Sequence, residues 1–150
     1  MSQKYYQGLF RCRNPQKYIG DPTNIWMRSG WEFRLASYLD QHPAVIQWVS
    51  EEFMIPYVKP TDNRVHRYFP DFWAKIKDKE GKIITYLIEV KPYKQSVPPV
   101  ITPRKRKQTI LEEQTTFLVN QAKWSAARQY CEKRGWKFIV ITERELGIAK

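Results

Sequence analysis

The chain has 150 residues, 42% of them hydrophobic and 15% aromatic, with 26 Lys+Arg against 15 Asp+Glu and a formal net charge of +11. That size and apolar content support a single folded domain that needs neither disulfides nor a structural metal. The basic surplus favours a polyanion as partner, and because no run approaches the roughly 18 apolar residues of a membrane span, nucleic acid is preferred to membrane.

Cys12 and Cys131 lie far apart, and His42 and His66 are the only histidines. This inventory excludes a zinc cluster and a histidine-based triad, and fits two reduced thiols. The first twenty residues lack an apolar h-region, so no secretion signal is expected. Gly8, Pro15, Gly20 and Pro22 interrupt any regular element over the first segment, which reads as an extended arm over 1–28 ahead of a single domain over 29–150.

A helix is expected over 29–41. Ser29 can cap it, Glu32 has the spacing of a capping-box partner, and Trp31, Leu35, Tyr38 and Leu39 recur at helical spacing to face the core. Pro43 closes that unit, and the β-branched run 45–49 reads as a strand. Glu51 and Glu52 then read as a solvated strand edge, with one of them free to enter an acidic cluster as a further ligand. The residues KPTDN over 59–63 mark a turn. The sheet is expected to comprise strands within 45–57, a strand over 64–77, one over 82–91 and a last one near 136–142.

Asp78-Lys79-Glu80-Gly81 read as the turn of a hairpin, which brings Asp71 near Glu89 at the open end. Side chains alternate along a strand, so Glu89 and Lys91 share one face while Ile88 and Val90 share the other. Two carboxylates and an amine in one small volume suit a hard divalent cation and a positive charge beside an attacking water. The plainer alternative is an ion-pairing face.

Pro92, Pro98, Pro99 and Pro103 make the next stretch a non-helical connector. Arg104, Lys105, Arg106 and Lys107 follow, either a solvated face or a clamp on DNA phosphates. The Gly- and Pro-free stretch 104–134 favours helix, either one helix or two with a break near Thr115-Thr116 or Asn120. On it, Gln121 and Lys123 are further candidates for phosphate contact. Gly135 is a natural helix stop, 136–141 a strand, and Thr142-x-x-Glu145 a second capping box opening a short terminal helix.

Pro70-Asp71 followed by Glu89-Val90-Lys91 resembles the signature of the PD-(D/E)xK restriction-endonuclease-like nucleases. The match extends outward through Ser29-Gly30-Trp31-Glu32, Arg67-Tyr68-Phe69-Pro70-Asp71-Phe72, Ile88-Glu89-Val90-Lys91-Pro92 and Ala122-Lys123-Trp124, together with the opening MSQKYYQGLF. These blocks resemble the transposon-associated endonucleases and, more closely, the head-completion nucleases of large tailed bacteriophages. The resemblance implies an α/β, restriction-endonuclease-like core with a central mixed β-sheet flanked by helices. It also implies a Mg²⁺-dependent deoxyribonuclease, with Mn²⁺ able to substitute, acting as an endonuclease, with exonuclease action and the balance between the two left open. Asp71 and Glu89 would hold the metal with the Val90 carbonyl, Glu32 would complete the acidic set, and Lys91 would hydrogen-bond the attacking water. Double-stranded DNA and phage head or neck proteins are the implied partners, and host cytoplasm or virion the implied location. Two alternatives stand beside it: a non-catalytic DNA-binding virion assembly protein, and an endonuclease that cuts transposon ends.

Overall fold

The structure, a computed structural model, describes residues 7–51 and 53–147. Residues 1–6 of the opening motif, Glu52 and residues 148–150 lie outside the described residues. The fold is α/β, as the resemblance implied: a four-stranded mixed sheet with a helix on each face.

The sheet has the order β3–β6–β7–β8, with β3 at Val45–Ser50, β6 at Phe72–Lys77, β7 at Ile83–Val90 and β8 at Lys137–Ile141. Neighbours are antiparallel except β7 and β8, which run parallel and are joined through helical structure, as parallel strands require. The hairpin between β6 and β7 turns at the expected residues, with Gly81 at φ +83. Strand alternation divides the core in two. Phe72, Ala74, Ile88 and Val90 pack under α1 (Gly30–Gln41) with Leu35, Ala36 and Leu39, while Trp73 and Leu87 face Trp124, Ala127 and Cys131 of α3 (Lys107–Arg134). A register slip between Val45 and Gln47 lets Val45 and Trp48 share the α1 face although three residues apart.

Several expectations need correction. The strand foreseen over 64–77 is two strands, β5 (Arg64–Tyr68) and β6, separated at Phe69-Pro70-Asp71. Pro70 is fully buried and has no N–H to give to a ladder, so pairing stops there. β5 instead pairs with β4 (Ile55–Lys59) in a separate antiparallel ribbon, turning at Asn63 with φ +57, so of the strands foreseen within 45–57 only β3 belongs to the main sheet. The connector after Lys91 is not wholly irregular: Tyr93–Ser96 form a single helical turn, α2, whose first N–H donates to Glu143 Oε1 at 2.7 Å. Pro92 is compatible with this because helix starts tolerate proline. Tyr38 is half exposed rather than in the core, resting on the His42 ring at 4.8 Å.

The stretch 107–134 is one unbroken helix. Thr115 and Thr116 cost a few tenths of a kcal/mol each in propensity, too little to break a helix anchored by buried Asn120, Trp124, Ala127 and Cys131. Gly135 ends it at φ +71. The second capping box forms its hydrogen bonds, Thr142 N–H and Oγ1 both donating to Glu145 Oε1. The residues after it are turns up to Gly147, however, and no terminal helix follows among the described residues.

Residues 8–27 lie against the domain. β1 (Gly8–Leu9) pairs with β2 (Trp26–Met27), and Phe10, Ile25 and Met27 enter the α1-side core. Asp40, fully buried at the end of α1, accepts from the amides of Arg13 and Asn14 and from Cys12 Sγ. Its backbone carbonyl accepts from Asn14 Nδ2 and Lys17 Nζ.

Candidate active site

The site lies where three strands end. β3 stops at Ser50, opposite Phe72 at the start of β6, and β7 runs out at Val90 on the other side of β6. The β6–β7 ladder ends at Phe72↔Ile88, beyond which Pro70 offers no partner. The Asp71 side chain takes over: its Oδ2 accepts the Val90 N–H at 2.7 Å. The proline therefore both interrupts the strand and frees a main-chain donor that fixes the carboxylate.

Glu32 reaches the same region from the first turn of α1. Ser29 caps the helix, its Oγ accepting the Glu32 N–H at 3.2 Å. Glu32 Oε1 accepts the amide of Arg28, at 3.3 Å, instead of that of Ser29, and Oε2 meets Ser29 Oγ at the same distance. One side chain thus makes the capping contacts and also lies in the acidic group.

Glu51 completes the group. Its N–H donates to the Asp71 carbonyl at 3.1 Å, and its φ of +54 puts a non-glycine residue in the left-handed region, a conformation costing about 1–2 kcal/mol. Carboxylate oxygens of Glu32, Glu51 and Asp71 all lie within 4.8 Å of one another. Arg28 Nη2 pairs with Glu51 Oε2 at 3.0 Å and offsets part of this charge. The sequence offered Glu51 and Glu52 equally, and the strand register is what brings Glu51 opposite Asp71. Three hard oxygen donors at such spacing fit a divalent cation.

Glu89 faces the other way from the sheet end, onto the α3 side. It is buried, with Oε1 accepting from the Tyr68 hydroxyl at 2.7 Å and Oε2 lying 3.5 Å from Lys91 Nζ. Glu89 and Lys91 share a face as expected, while Val90 packs in the opposite core. Lys123 approaches from α3, its ammonium 5.8 Å from the Tyr68 ring centre and 5.9 Å from that of Tyr57.

Burial pushes the Asp71 carboxyl well above the usual carboxylate range, and the charges of Glu89 and Glu32 push it the same way. Burial likewise raises Glu89, against the opposing pull of Lys91 and of the Tyr68 hydrogen bond, and raises Glu32. Asp71 stands between two acidic groups, Glu32–Glu51 on one side and Glu89 on the other. A cation at Asp71 would relieve all of them.

The basic candidates divide. Arg104, Arg106 and Lys107 are exposed, whereas Lys105 is engaged within the protein, donating to the Val100 carbonyl and to Glu113 Oε1. From Lys107 to Lys123 the helix rises about 24 Å, so this run lies far along α3 from the carboxylates. Gln121 is turned about 200° around the helix from Lys123 and lines a different cavity, with Tyr93 and Thr142. Of the helix candidates, Lys123 alone reaches the tyrosines beside Glu89.

A family model described as TnsA-like endonuclease N terminal matches residues 42–143, the stretch that carries Asp71, Glu89 and Lys91. The chain is also 40% identical over 142 residues to a head completion nuclease of Enterobacteria phage T4, an alignment spanning 92% of this chain and 91% of that relative. No helix among the described residues is long and apolar enough to cross a membrane.

Proposed function

The chain belongs to the TnsA-like endonuclease family, and on that premise we propose that it is a DNA nuclease acting in phage head completion, using a divalent cation held at Asp71. The observation carrying this reading is the convergence of Glu32, Glu51 and Asp71 beside the Glu89–Lys91 pair. The relative's printed name supports the biological setting. Mg²⁺, with Mn²⁺ as substitute, is the proposed ion, because the donors are all oxygens.

Asp71 is the proposed central ligand, joined by Glu32 and Glu51 on one side and by Glu89 and the Val90 carbonyl on the other. The cation, when bound, supplies Lewis-acid stabilisation of charge at phosphorus and lowers the pKa of a bound water. The remaining work falls to the chain's own groups. Lys91, tethered by Glu89, donates a hydrogen bond to the attacking water or to the phosphoryl oxygen that gains charge. Tyr68 orients Glu89 by donating to it, a bond that opposes the burial-driven rise of its pKa. Exposed Arg104, Arg106 and Lys107 support backbone contact farther along a duplex. Head or neck proteins of the virion are the proposed protein partners, and host cytoplasm or virion the proposed location.

Cleavage of supercoiled plasmid and linear duplex, with Mg²⁺ or with EDTA, tests this against Glu89→Ala and Lys91→Ala. Metal-dependent cutting lost in both variants, with their melting transitions retained, is the expected result. Nicked circles against shortened linear ends separate endonuclease from exonuclease action. No cutting with any divalent metal, while salt-sensitive DNA binding persists, would favour a non-catalytic DNA-binding assembly protein.

A further inference from the structure

Beside Lys91, on the side away from Glu32 and Glu51, is a cavity of about 410 Å³ between the β4–β5 ribbon and α3. Three ammonium groups line it: Lys59 from the end of β4, Lys91 from the end of β7, and Lys123 from α3. Thr115 and Thr116 add hydroxyls about two turns before Lys123 on the same helix. No Asp or Glu lines this cavity, although Lys91 is shared with Glu89 outside it. Asn120 lines it too, 4% exposed, and its Nδ2 is buried with no hydrogen-bond partner among the described residues.

Asn120 Nδ2 meets no acceptor among the described residues, and a rotation of its side chain toward the cavity would give that donor an acceptor bound there. Positive charge, hydroxyls and a spare N–H donor are together what a phosphate oxygen accepts from. The two threonines, which weaken the helix by propensity, also acquire a role here.

We propose that this cavity seats a backbone phosphate of bound DNA, flanking the phosphate that is attacked, with Lys59 and Asn120 as binding residues. The position beside the attacked phosphate follows from Lys91, which lines the cavity and also pairs with Glu89, and in this respect the proposal rests on the nuclease reading. The β4–β5 ribbon then has a purpose the main sheet does not supply. Packed on α3 through Ile55, Tyr57 and Tyr68, it holds Lys59 at the rim of the cavity, so that a phosphate is met from the ribbon and from the helix at once.

The test measures duplex binding by fluorescence anisotropy in EDTA over a salt series, for the parent chain, Lys59→Gln, Asn120→Leu and Lys79→Gln. Lys79 is exposed on the β6–β7 turn, at the opposite end of the hairpin from the carboxylates. Lys59→Gln should weaken binding about 3- to 10-fold and flatten the plot of log K against log salt by about one unit, while Lys79→Gln leaves that slope unchanged. Asn120→Leu should weaken binding about fivefold without altering the slope, and should melt no lower than the parent. With Mg²⁺, Lys59→Gln should raise KM and leave kcat within about twofold. An unchanged slope in Lys59→Gln, equal flattening in Lys79→Gln, unaltered binding by Asn120→Leu, or a fall in kcat at constant KM each overturns the proposal. Since binding is read without metal, a protein that binds in this way and never cuts refutes the nuclease reading and leaves the phosphate seat standing.

Discussion

The amide of Val90 donates to Asp71 Oδ2 at 2.7 Å, so that a carboxylate finishes a backbone ladder which Pro70 interrupts. This bond lowers the Asp71 pKa, yet burial and the neighbouring charges of Glu89 and Glu32 outweigh it and the group ends above its ordinary value. Between the ordinary carboxylate range near 4 and that raised value, the folded state holds more protons than the unfolded one. Stability of the metal-free protein therefore falls as pH rises through that window, the reverse of a salt-bridged carboxylate.

Asp71→Asn keeps an acceptor for the Val90 amide and removes the charge. It should melt higher than the parent at pH 7 in EDTA, by about 2–4 °C for each kcal/mol of repulsion relieved, and its metal-free Tm should depend less on pH. Cleavage should fall by at least about 100-fold, and Mg²⁺ should raise Tm in the parent alone. Calorimetry at pH 5 and pH 7, with and without metal, checks all of these. A variant melting lower than the parent at pH 7 in EDTA contradicts the account.

Tyr68→Phe removes the hydroxyl that donates to Glu89 Oε1 and helps keep that carboxyl ionised. The Glu89 pKa should rise further, and the acidic limb of the cleavage pH profile should move to higher pH while the metal requirement is unchanged. Losing a hydrogen bond to a buried carboxylate should also cost about 1.5–3 kcal/mol of stability above that limb. A pH–rate profile that superimposes on the parent's would show that Glu89 is held by other means.

Among the clustered cations, Lys105 should behave unlike its neighbours. Its bonds to the Val100 carbonyl and Glu113 are internal, so Lys105→Gln should lower stability by about 1 kcal/mol and change the salt slope of DNA binding little. Arg104→Gln, Arg106→Gln and Lys107→Gln should each leave Tm within error and flatten the slope by up to about one unit. Denaturant melts paired with binding titrations separate the two behaviours.

Asp40 holds residues 12–17 through its buried side-chain oxygens and its carbonyl. Asp40→Ala strands two amides and should cost about 3–5 kcal/mol, while protease cleavage within 11–20 should speed up markedly. Asp40→Asn retains one acceptor and should fall between the two. Equal protection in Asp40→Ala and the parent would mean that the core contacts of Phe10 and Ile25 hold the segment without it.

Much of this protein was legible in the sequence because its signals are local. The hairpin over 72–90 announces itself through β-branched alternation and Gly81, the α1 cap through Ser29 and Glu32, and the end of α3 through Gly135. Alternation along β7 alone put Glu89 and Lys91 on one face. The family resemblance supplied Glu32 and Asp71, which no periodicity distinguishes from a cap and a turn. What only the tertiary structure decided depends on register and on contacts between distant segments. That Glu51 joins the acidic group follows from Ser50 lying opposite Phe72, a pairing across more than twenty residues. The division of 64–77 into a ribbon strand and a sheet strand turns on where Pro70 is buried, and the cavity between that ribbon and α3 exists only once both have packed. A chain encodes spacing along itself, whereas a site gathers groups across space, and long-range pairing sets which groups meet.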